Sequence, residues 1–462
     1  MNVTLVLPDS IAEEIARAAN EPVEFAGVLV ATPVKAPNGD LRLLANKMEW
    51  VKANAYLRQE SSGLLIASEG YVQALSEAER RHGVAIWLHT HPGQNGEPVP
   101  SNHDLDVDRE IAELFRIRTG SDYYGTLIVS PRANNFVFTG TVQRVSGQTD
   151  AIERLWRIGG DWRLSRAYDS ASPQISPIFD RSVRAFGSSI QGTLNDLRVA
   201  VVGCGGTGSS TAEQLVRLGI RNITLIDADK LTASNVTRLY GSTPNNVGQP
   251  KVEVLRDHLL KIAPDLKCKA IKGMITFEKH ARELTAADLV FGCTDDNAGR
   301  LVLSRLSTYL MVPLIDVGVV LSSDRTGRLT GIDGRVTVLS PGNACLVCRD
   351  RIDVTRAAAE LMTPEERRRL EDEGYAPALR GAEPAVVAFT TAVAAAAVSE
   401  LLERLIGYGP TPRPSEVLIR WHEREISTNL ATPRGGHYCH PDVGKLGWGD
   451  RAPFLEQLWP EA

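Results

Sequence analysis

The stretch Gly203-Cys-Gly205-Gly206-Thr-Gly208 constrains the fold of this chain more than any other. An apolar run, Arg198-Val-Ala-Val-Val202, precedes it, and a helix-forming segment from Thr211 to Leu218 follows, leading to Ile223-Thr-Leu-Ile226. Strand, glycine turn, helix and strand make one βαβ unit of a parallel, doubly wound sheet. Glycines at this spacing let the backbone approach a phosphate, and the helix N-terminus supplies unpaired N–H groups and a partial positive charge. Asp227 ends the second strand nineteen residues after Gly208, where a carboxylate can take ribose hydroxyls. A helix from Val252 to Ile262 and strands at Asp288–Phe291 and Val312–Ile315 are expected to continue the sheet.

A glycine turn of this kind serves NAD as readily as ATP, so the residues beyond it decide. Asp227-Ala-Asp229 is followed by Asn235, Arg238 and Lys251, then by Cys293-Thr-Asp295-Asp296-Asn-Ala-Gly-Arg300. Hydride transfer needs neither two cations nor an extra acid around a diphosphate. Adenylation needs both: a carboxylate attacks the α-phosphorus of ATP, pyrophosphate leaves, cations hold the phosphates and an acid holds magnesium. The set Asp180-Arg181, Gly203-x-Gly205-Gly206-x-Gly208-Ser209, Asp227-x-Asp229, Asn235-x-x-Arg238, Lys251 and Cys293-Thr-Asp295 resembles the ThiF/MoeB superfamily, which includes the ubiquitin-activating enzymes. The resemblance implies that Asp227, in the Asp227-x-Asp229 pair, holds the ribose of ATP. It implies that Asn235, Arg238 and Lys251 hold the phosphates, that Asp295 holds magnesium, and that Arg181 reaches the phosphates, in homodimeric relatives from the neighbouring subunit.

Cys345-Leu-Val-Cys348 reads as half of a structural zinc site. The family's second Cys-x-x-Cys is replaced here by His437-Tyr-Cys439-His440, so Cys345, Cys348 and Cys439 with either His437 or His440 would complete a Cys₃His set. Thioester-forming relatives place a reactive cysteine before the last long helix. No cysteine occurs from Arg349 to Pro384, where a charged helix starting at Thr363-Pro-Glu-Glu366 is expected instead. Adenylation is therefore better supported than thioester formation on this chain.

The N-terminal part carries a second constellation. His89-Thr-His91-Pro92 closes a β-branched and aromatic strand, Val84-Ala-Ile-Trp-Leu88, and alternate residues of an extended strand share a face, so two imidazoles can share one ion. Asp104, in Ser101-Asn-His-Asp104 on a Gly/Pro-rich loop, offers a third ligand and leaves a fourth position for water, as a catalytic zinc requires. Glu24 is the candidate to take that water's proton. This pattern resembles the JAB/MPN (JAMM) metalloproteases, although His91 and Asp104 are two residues further apart than usual. The resemblance implies Glu24 as general base, His89, His91 and Asp104 as zinc ligands, and Ser101 as a donor to the tetrahedral oxyanion.

The expected organisation is α/β: a JAB/MPN α+β domain over 1–147, a linker with Ser-Pro pairs over 148–178, a Rossmann-like doubly wound ThiF-type domain over 179–445, and a tail over 446–462. The expected activity is adenylation, with ATP and magnesium, of a ubiquitin-like or sulfur-carrier protein ending in glycine, coupled to zinc-dependent trimming or removal of that protein. A conjugating enzyme or a sulfur donor would be a further partner. Sulfur-carrier activation for biosynthesis and non-catalytic docking are the rival readings. A net charge of −5 without a long Lys/Arg run gives no sign of nucleic acid or anionic membrane as partner. The uncharged, Ala-rich stretch from Ala385 to Val398 is too short to span a bilayer and is read as a buried helix, whose apolar surface also suits a homodimer. Six cysteines in 462 residues make no disulfide framework, so a cytoplasmic location is expected.

Overall fold

A computed structural model describes the chain apart from residues 94–95, 134, 168–174, 325, 327, 363–365, 367–384 and 461–462. Two units emerge, Met1–Ser172 with Gly447–Gly449, and Pro173–Leu446 with Asp450–Ala462. The expected charged helix after Thr363 lies outside the described residues, apart from Glu366.

Unit 1 runs β1 (Val3–Pro8), α1 (Asp9–Ala19), β2 (Ala26–Lys35), β3 (Leu41–Trp50), a ribbon of β4 (Tyr56–Glu60) and β5 (Gly63–Ile66), then α2 (Glu69–Arg80) and β6 (Val84–Thr90). It continues with α3 (Asn102–Thr119), β7 (Tyr123–Arg132), β8 (Asn135–Arg144), β9 (Thr149–Ile158) and β10 (Arg163–Arg166). The main sheet is ordered β1-β3-β2-β6-β7-β8-β9-β10, and β1 also pairs with β9, so the sheet closes on itself. Period-two alternation along β6 sorts its side chains between two cores. Val84, Ile86 and Leu88 pack with Ile11, Ala12 and Ile15 of α1, while Ala85 and Trp87 pack with Ala74, Leu75, Ala112 and Phe115 of α2 and α3. Trp87 meets Tyr71 and Phe115 edge-on with centroids 6.3 Å apart in each pair. The same alternation puts His89 on the side of α2 and α3.

One expectation is corrected in this unit, and two local signals are overridden. The residues expected as a linker from 148 include β9 and β10, because β9 fills the gap between β1 and β8 and buries Ile152, Leu155 and Trp156. Ser10 does not cap α1: the N-cap is Pro8, without a side-chain bond, and Asp9 at the first position is taken up by Arg157 and by the N–H of Gly160 at 2.7 Å. The strand after Thr126 does not stop at Ser130-Pro131. It runs on to Arg132 in pairing with β8 alone, where proline costs no ladder bond to β6.

Unit 2 runs α4 (Asp180–Phe186), α5 (Ser188–Asp196), β11 (Arg198–Val202), α6 (Gly206–Leu218), β12 (Asn222–Asp227), α7 (Lys251–Ile262), β13 (Lys267–Lys272), α8 (Glu278–Glu283), β14 (Leu289–Gly292) and α9 (Asn297–Tyr309). Then come β15 (Leu314–Ser323), β16 (Leu329–Leu339), α10 (Val354–Glu360), α11 (Val387–Ile406), β17 (Glu416–Arg420) and β18 (Glu425–Asn429). The sheet order is β13-β12-β11-β14-β15-β16-β17-β18, parallel as far as β15 and antiparallel beyond. The chain winds outward from β11 to β13 and then crosses to β14, so the crevice at the carboxyl ends of β11 and β14 is the topological switch point where such sheets bind ligands. The expected tail is not loose: Phe454 and Leu455 are buried, and the Tyr309 hydroxyl donates to Glu456 at 2.8 Å. Among the described residues no helix is long and apolar enough to cross a membrane.

Candidate functional site

The glycine turn lies at the switch point. Gly203 has φ +89°, and a Cβ there would stand 2.5 Å from the carbonyl oxygen of Cys293, so the turn between β11 and α6 is pressed against the end of β14. Gly208 is tighter still, since its Cβ would meet the Gly203 carbonyl at 1.8 Å. Gly206 has Thr390 and Arg238 beside it at 3.1 and 3.3 Å. Gly205 differs: its φ is −75°, and a Cβ there would meet nothing within 4 Å. The fold needs three of the four glycines, and the fourth faces open space at the N-terminus of α6.

Asp227, at the end of β12, accepts the N–H of Cys204 at 2.6 Å and that of Asp229 at 2.8 Å. Burial raises its pKa, against the pull of Lys251 and of these N–H donors. Lys251 opens α7 and holds Asp229 at 2.7 Å. Asn235 spends its Oδ1 on the N–H of Thr232 at 3.2 Å, which leaves its amide nitrogen as the donor. Arg238 donates to the Ser234 carbonyl at 2.9 Å while its stem lies against Gly206. Asp295 is exposed just past β14, and its neighbour Asp296 caps α9 through the N–H of Gly299. Gly203, Gly205, Gly206, Gly208, Asp227, Asp229, Asn235, Arg238, Lys251 and Asp295 thus all belong to the carboxyl edge of one sheet or the loops springing from it. Arg181 stands exposed on α4, and no hydrogen bond or ion pair ties it to the turn.

Cys345, Cys348, His437 and Cys439 come together with their ligand atoms all within 4.8 Å of one another. Cys345 Sγ and Cys439 Sγ each lie 3.4 Å from His437 Nδ1, and Cys348 Sγ lies 3.6 Å from Cys439 Sγ. Zinc bonds of about 2.3 Å to sulfur and about 2.05 Å to nitrogen put tetrahedral neighbours roughly 3.6–3.8 Å apart, so the donors need to move little to share an ion. Of the two histidines weighed, His440 turns away, its Nδ1 accepting the N–H of Asp442 at 3.3 Å. The shared hydrogen bond with Cys439, helped by Tyr438 and His437, lowers the pKa of Cys345, whereas burial raises that of Cys348. A second thiolate in this pocket therefore calls for a cation.

In unit 1 the third cluster is His89, His91 and Asp104. His89, next to last in β6, stands opposite Ala26 of β2, and the His91 N–H is held by the Val129 carbonyl at 2.8 Å. Asp104 sits in the first turn of α3 and not on an irregular loop: Ser101 is the N-cap, its Oγ accepting the Asp104 N–H at 3.2 Å while Asp104 accepts the Ser101 N–H at 2.7 Å. Ser101-x-x-Asp104 is a capping box, a helix-start signal carried by the sequence itself. The two Nε2 atoms are 3.1 Å apart, and they lie 3.3 and 3.5 Å from the Asp104 oxygens. A tetrahedral zinc with bonds near 2.05 Å has edges of about 3.3 Å, close to each of these spacings, of which the two to Asp104 run to its two different oxygens. Burial raises the Asp104 pKa, but hydrogen bonds from His89 and His91 outweigh it and leave the carboxyl well below the usual range. Glu24, 8% exposed, is fixed through its backbone by Glu60 at 2.8 Å and by Gln59 at 2.9 Å. Burial raises its pKa, and His89 and His91 pull it back. A carboxylate so placed can hold a proton in passing.

A doubly wound sheet with its glycine turn at the switch point defines a Rossmann-type fold, and the chain belongs to the ThiF family, which matches residues 179–434. Molybdopterin-synthase adenylyltransferase of Escherichia coli K12 is 32% identical over 172 residues, 37% of this chain and 65% of the relative. Ubiquitin-like modifier-activating enzyme 5 of Bombyx mori is 30% identical over 197 residues, 40% of this chain and 46% of that protein. The sulfur carrier protein ThiS adenylyltransferase of E. coli K12 is 30% identical over 151 residues, 33% of this chain and 56% of that one. The chain spans less than two thirds of the length of each. A solved structure of E. coli MccB with ATP matches at 19% identity and a TM-score of 0.45, over 58% of this chain and 76% of the other, a likeness too slight to add to the fold assignment.

Proposed function

We propose that this chain is a cytoplasmic, homodimeric enzyme that adenylates the C-terminal carboxylate of a ubiquitin-like or sulfur-carrier protein, using ATP and magnesium. The supporting observation is Gly205: a glycine that the fold does not require opens the N-terminus of α6 to a close-approaching group. A phosphate is the group that such a terminus favours. In the proposed reaction a carboxylate oxygen of the partner attacks the α-phosphorus, the bond to the β-phosphate oxygen breaks, and pyrophosphate leaves. Asp227 takes the ribose, while Asn235, Arg238 and Lys251 stabilise the charge on the phosphates, Lys251 exchanging Asp229 for them. Asp295 would hold magnesium, whose charge would be supplied to the departing pyrophosphate. Arg181 is supplied by the second copy.

The acyl-adenylate passes to another protein. Cys204 is buried, Cys293 and Cys268 are half-buried, and burial raises the pKa of Cys293 and of Cys268 to about 12. Cys345, Cys348 and Cys439 are committed with His437 to a structural zinc. None is a competent nucleophile at neutral pH. A conjugating enzyme or a sulfur donor would therefore take the acyl group.

Unit 1 is assigned, in the same reading, to a JAB/MPN zinc peptidase that trims or removes the ubiquitin-like protein. A zinc ion held by His89, His91 and Asp104 supplies Lewis acidity. Glu24 takes the proton of the attacking water, and Ser101 donates to the developing oxyanion. The donor spacing near 3.3 Å supports this reading.

ATP–pyrophosphate exchange with a small β-grasp protein ending in Gly-Gly tests the adenylation, together with a non-reducing gel. Exchange that Asp295→Ala abolishes, without a thiol-sensitive adduct, is expected. A wild-type chain without exchange would remove the reading, and a reducible adduct would remove its second half.

A further inference from the structure

Beyond the phosphate turn, the face of the sheet next to Asp295 carries more cation than its acids account for. Gly292 at the end of β14 pairs with Asp316 of β15, so this face begins where β14 gives way to the Cys293–Asp295 loop. Cross-strand partners share a face, which puts Asp316 with Thr337, Gly318 with Arg335, and Thr337 with Glu416. Asp316, buried, is taken by a bidentate fork from Arg300 of α9 at 2.9 and 2.6 Å. Glu416, also buried, accepts Arg351 at 2.9 and 2.8 Å, Asn429 at 2.6 Å and Thr337 at 3.1 Å. Both acids are therefore spent.

Arg335 is left over. Its approach to Glu416 is 3.9 Å, beyond hydrogen-bond length, and its Nε is buried without an acceptor. Its side chain remains 24% exposed, so a ligand can reach it. Burial penalises its charge, and although Asp316 and Glu416 attract it, Arg300 and Arg351 stand close enough to repel it, so its pKa lies below the usual value. A buried N–H left without an acceptor is unfavourable unless something supplies one. Opposite it, Gly318 has no conformational need to be glycine: its φ lies outside the left-handed region, and the nearest atom to a Cβ would be Arg335 itself, 4.0 Å away. The floor beside the guanidinium is bare, and the other face of the same strands is closed, Gly334 fitting under Trp421 and Val393 of α11.

We propose that Arg335, above the bare floor of Gly318, is the binding residue for the C-terminal carboxylate of the incoming protein tail. This rests on the adenylation reading and adds to it how the second substrate is seated. An extended chain ending in small residues lies over Gly318, and the surplus guanidinium meets its carboxylate first, before that end moves on to the edge where Asp295 and the glycine turn stand. A planar fork suits a carboxylate better than a point charge does. The nucleotide, held by Asp227 and Lys251, does not depend on it.

The test uses the full chain and a fluorescent hexapeptide ending in Gly-Gly, as free acid and as C-terminal amide, with binding measured with and without a non-hydrolysable ATP analogue. The analogue's own affinity is measured separately by calorimetry. The free acid should bind the wild type, Arg335→Gln should weaken it tenfold or more, and Arg335→Lys should recover part of the loss. The amide should bind at least tenfold more weakly than the acid, and nucleotide affinity should stay within twofold throughout. Equal acid binding by wild type and Arg335→Gln overturns the inference, as does a wild type indifferent to acid or amide. Loss of nucleotide affinity in both Arg335 variants would make this a phosphate site and overturn it too. Failure of the wild type to bind the nucleotide strikes instead at the adenylation reading, while the arm without nucleotide still judges Arg335. Melting temperatures within 2 °C of wild type, by the same far-UV signal, exclude misfolding in at least one of the two variants.

Discussion

Gly205 and Gly208 stand three residues apart in one motif and should fail in opposite ways. At Gly208 an added Cβ would lie 1.8 Å from the Gly203 carbonyl oxygen. Ordinary contact begins near 3.5 Å, so backbone must move by about 1.7 Å, and overpacking of this kind costs about 3 kcal/mol or more. Gly208→Ala should therefore lower the melting temperature by about 6–12 °C in a unit of this size. At Gly205 the added Cβ meets nothing within 4 Å, and the backbone is extended, so stability should change by no more than about 0.5 kcal/mol. The methyl group would nonetheless stand where a phosphate oxygen must come within hydrogen-bond reach of the turn. Displacing that oxygen by about 1 Å costs roughly 10²-fold in rate, about 2.7 kcal/mol of barrier. Thermal melts and ATP–pyrophosphate exchange, measured on both variants, separate the two effects. A Gly205→Ala chain that exchanges like wild type would falsify the placement of phosphates at this turn, whatever Gly208→Ala does.

Cys439→Ala should lose one zinc per chain and about 4 kcal/mol of stability, and chelation of the wild type should reproduce the same melt; a melt indifferent to chelation sinks the structural zinc. Glu24→Gln should keep its full metal content while cleavage of a C-terminally extended ubiquitin-like protein drops by about 10²–10⁴, and unchanged cleavage would remove Glu24 from the chemistry. Arg181→Ala and Lys251→Ala should each abolish exchange, yet a mixture of the two should recover roughly a quarter of wild-type activity, since one site in each mixed dimer is whole. No recovery on mixing, with dimers present by light scattering, would place Arg181 in its own subunit's site.

Local patterns in the sequence carried much of this molecule, and distant pairings carried the rest. The βαβ unit was legible because strand, glycine turn and helix follow one another within thirty residues, and α6 only begins earlier than expected, at Gly206. His89 and His91 were legible through period two alone. The role of β9 was not: Thr149–Ile158 gains its place by pairing with β1 about 150 residues earlier, which no local pattern announces. Nor was the choice between His437 and His440, which lie three residues apart and differ only in which way a turn aims them. Arg335, Asp316 and Glu416 read as ordinary strand residues in sequence, because a surplus of charge exists only once three strands are side by side.

The pairing of β1 with both β3 and β9 has a cost in time. Val3–Pro8 is made about 140 residues ahead of its second neighbour, Thr149–Ile158, the last of the strands that close the ring. Until then one edge of β1, with Val3, Leu5 and Leu7, is an unpaired apolar template, the kind that pairs wrongly when it waits. At about 5–20 residues per second that wait lasts on the order of ten seconds or more, long against hairpin formation at microseconds. Unit 1 is therefore a slow, late-closing folder by topology, and the demand it makes on holding chaperones is written into its first strand.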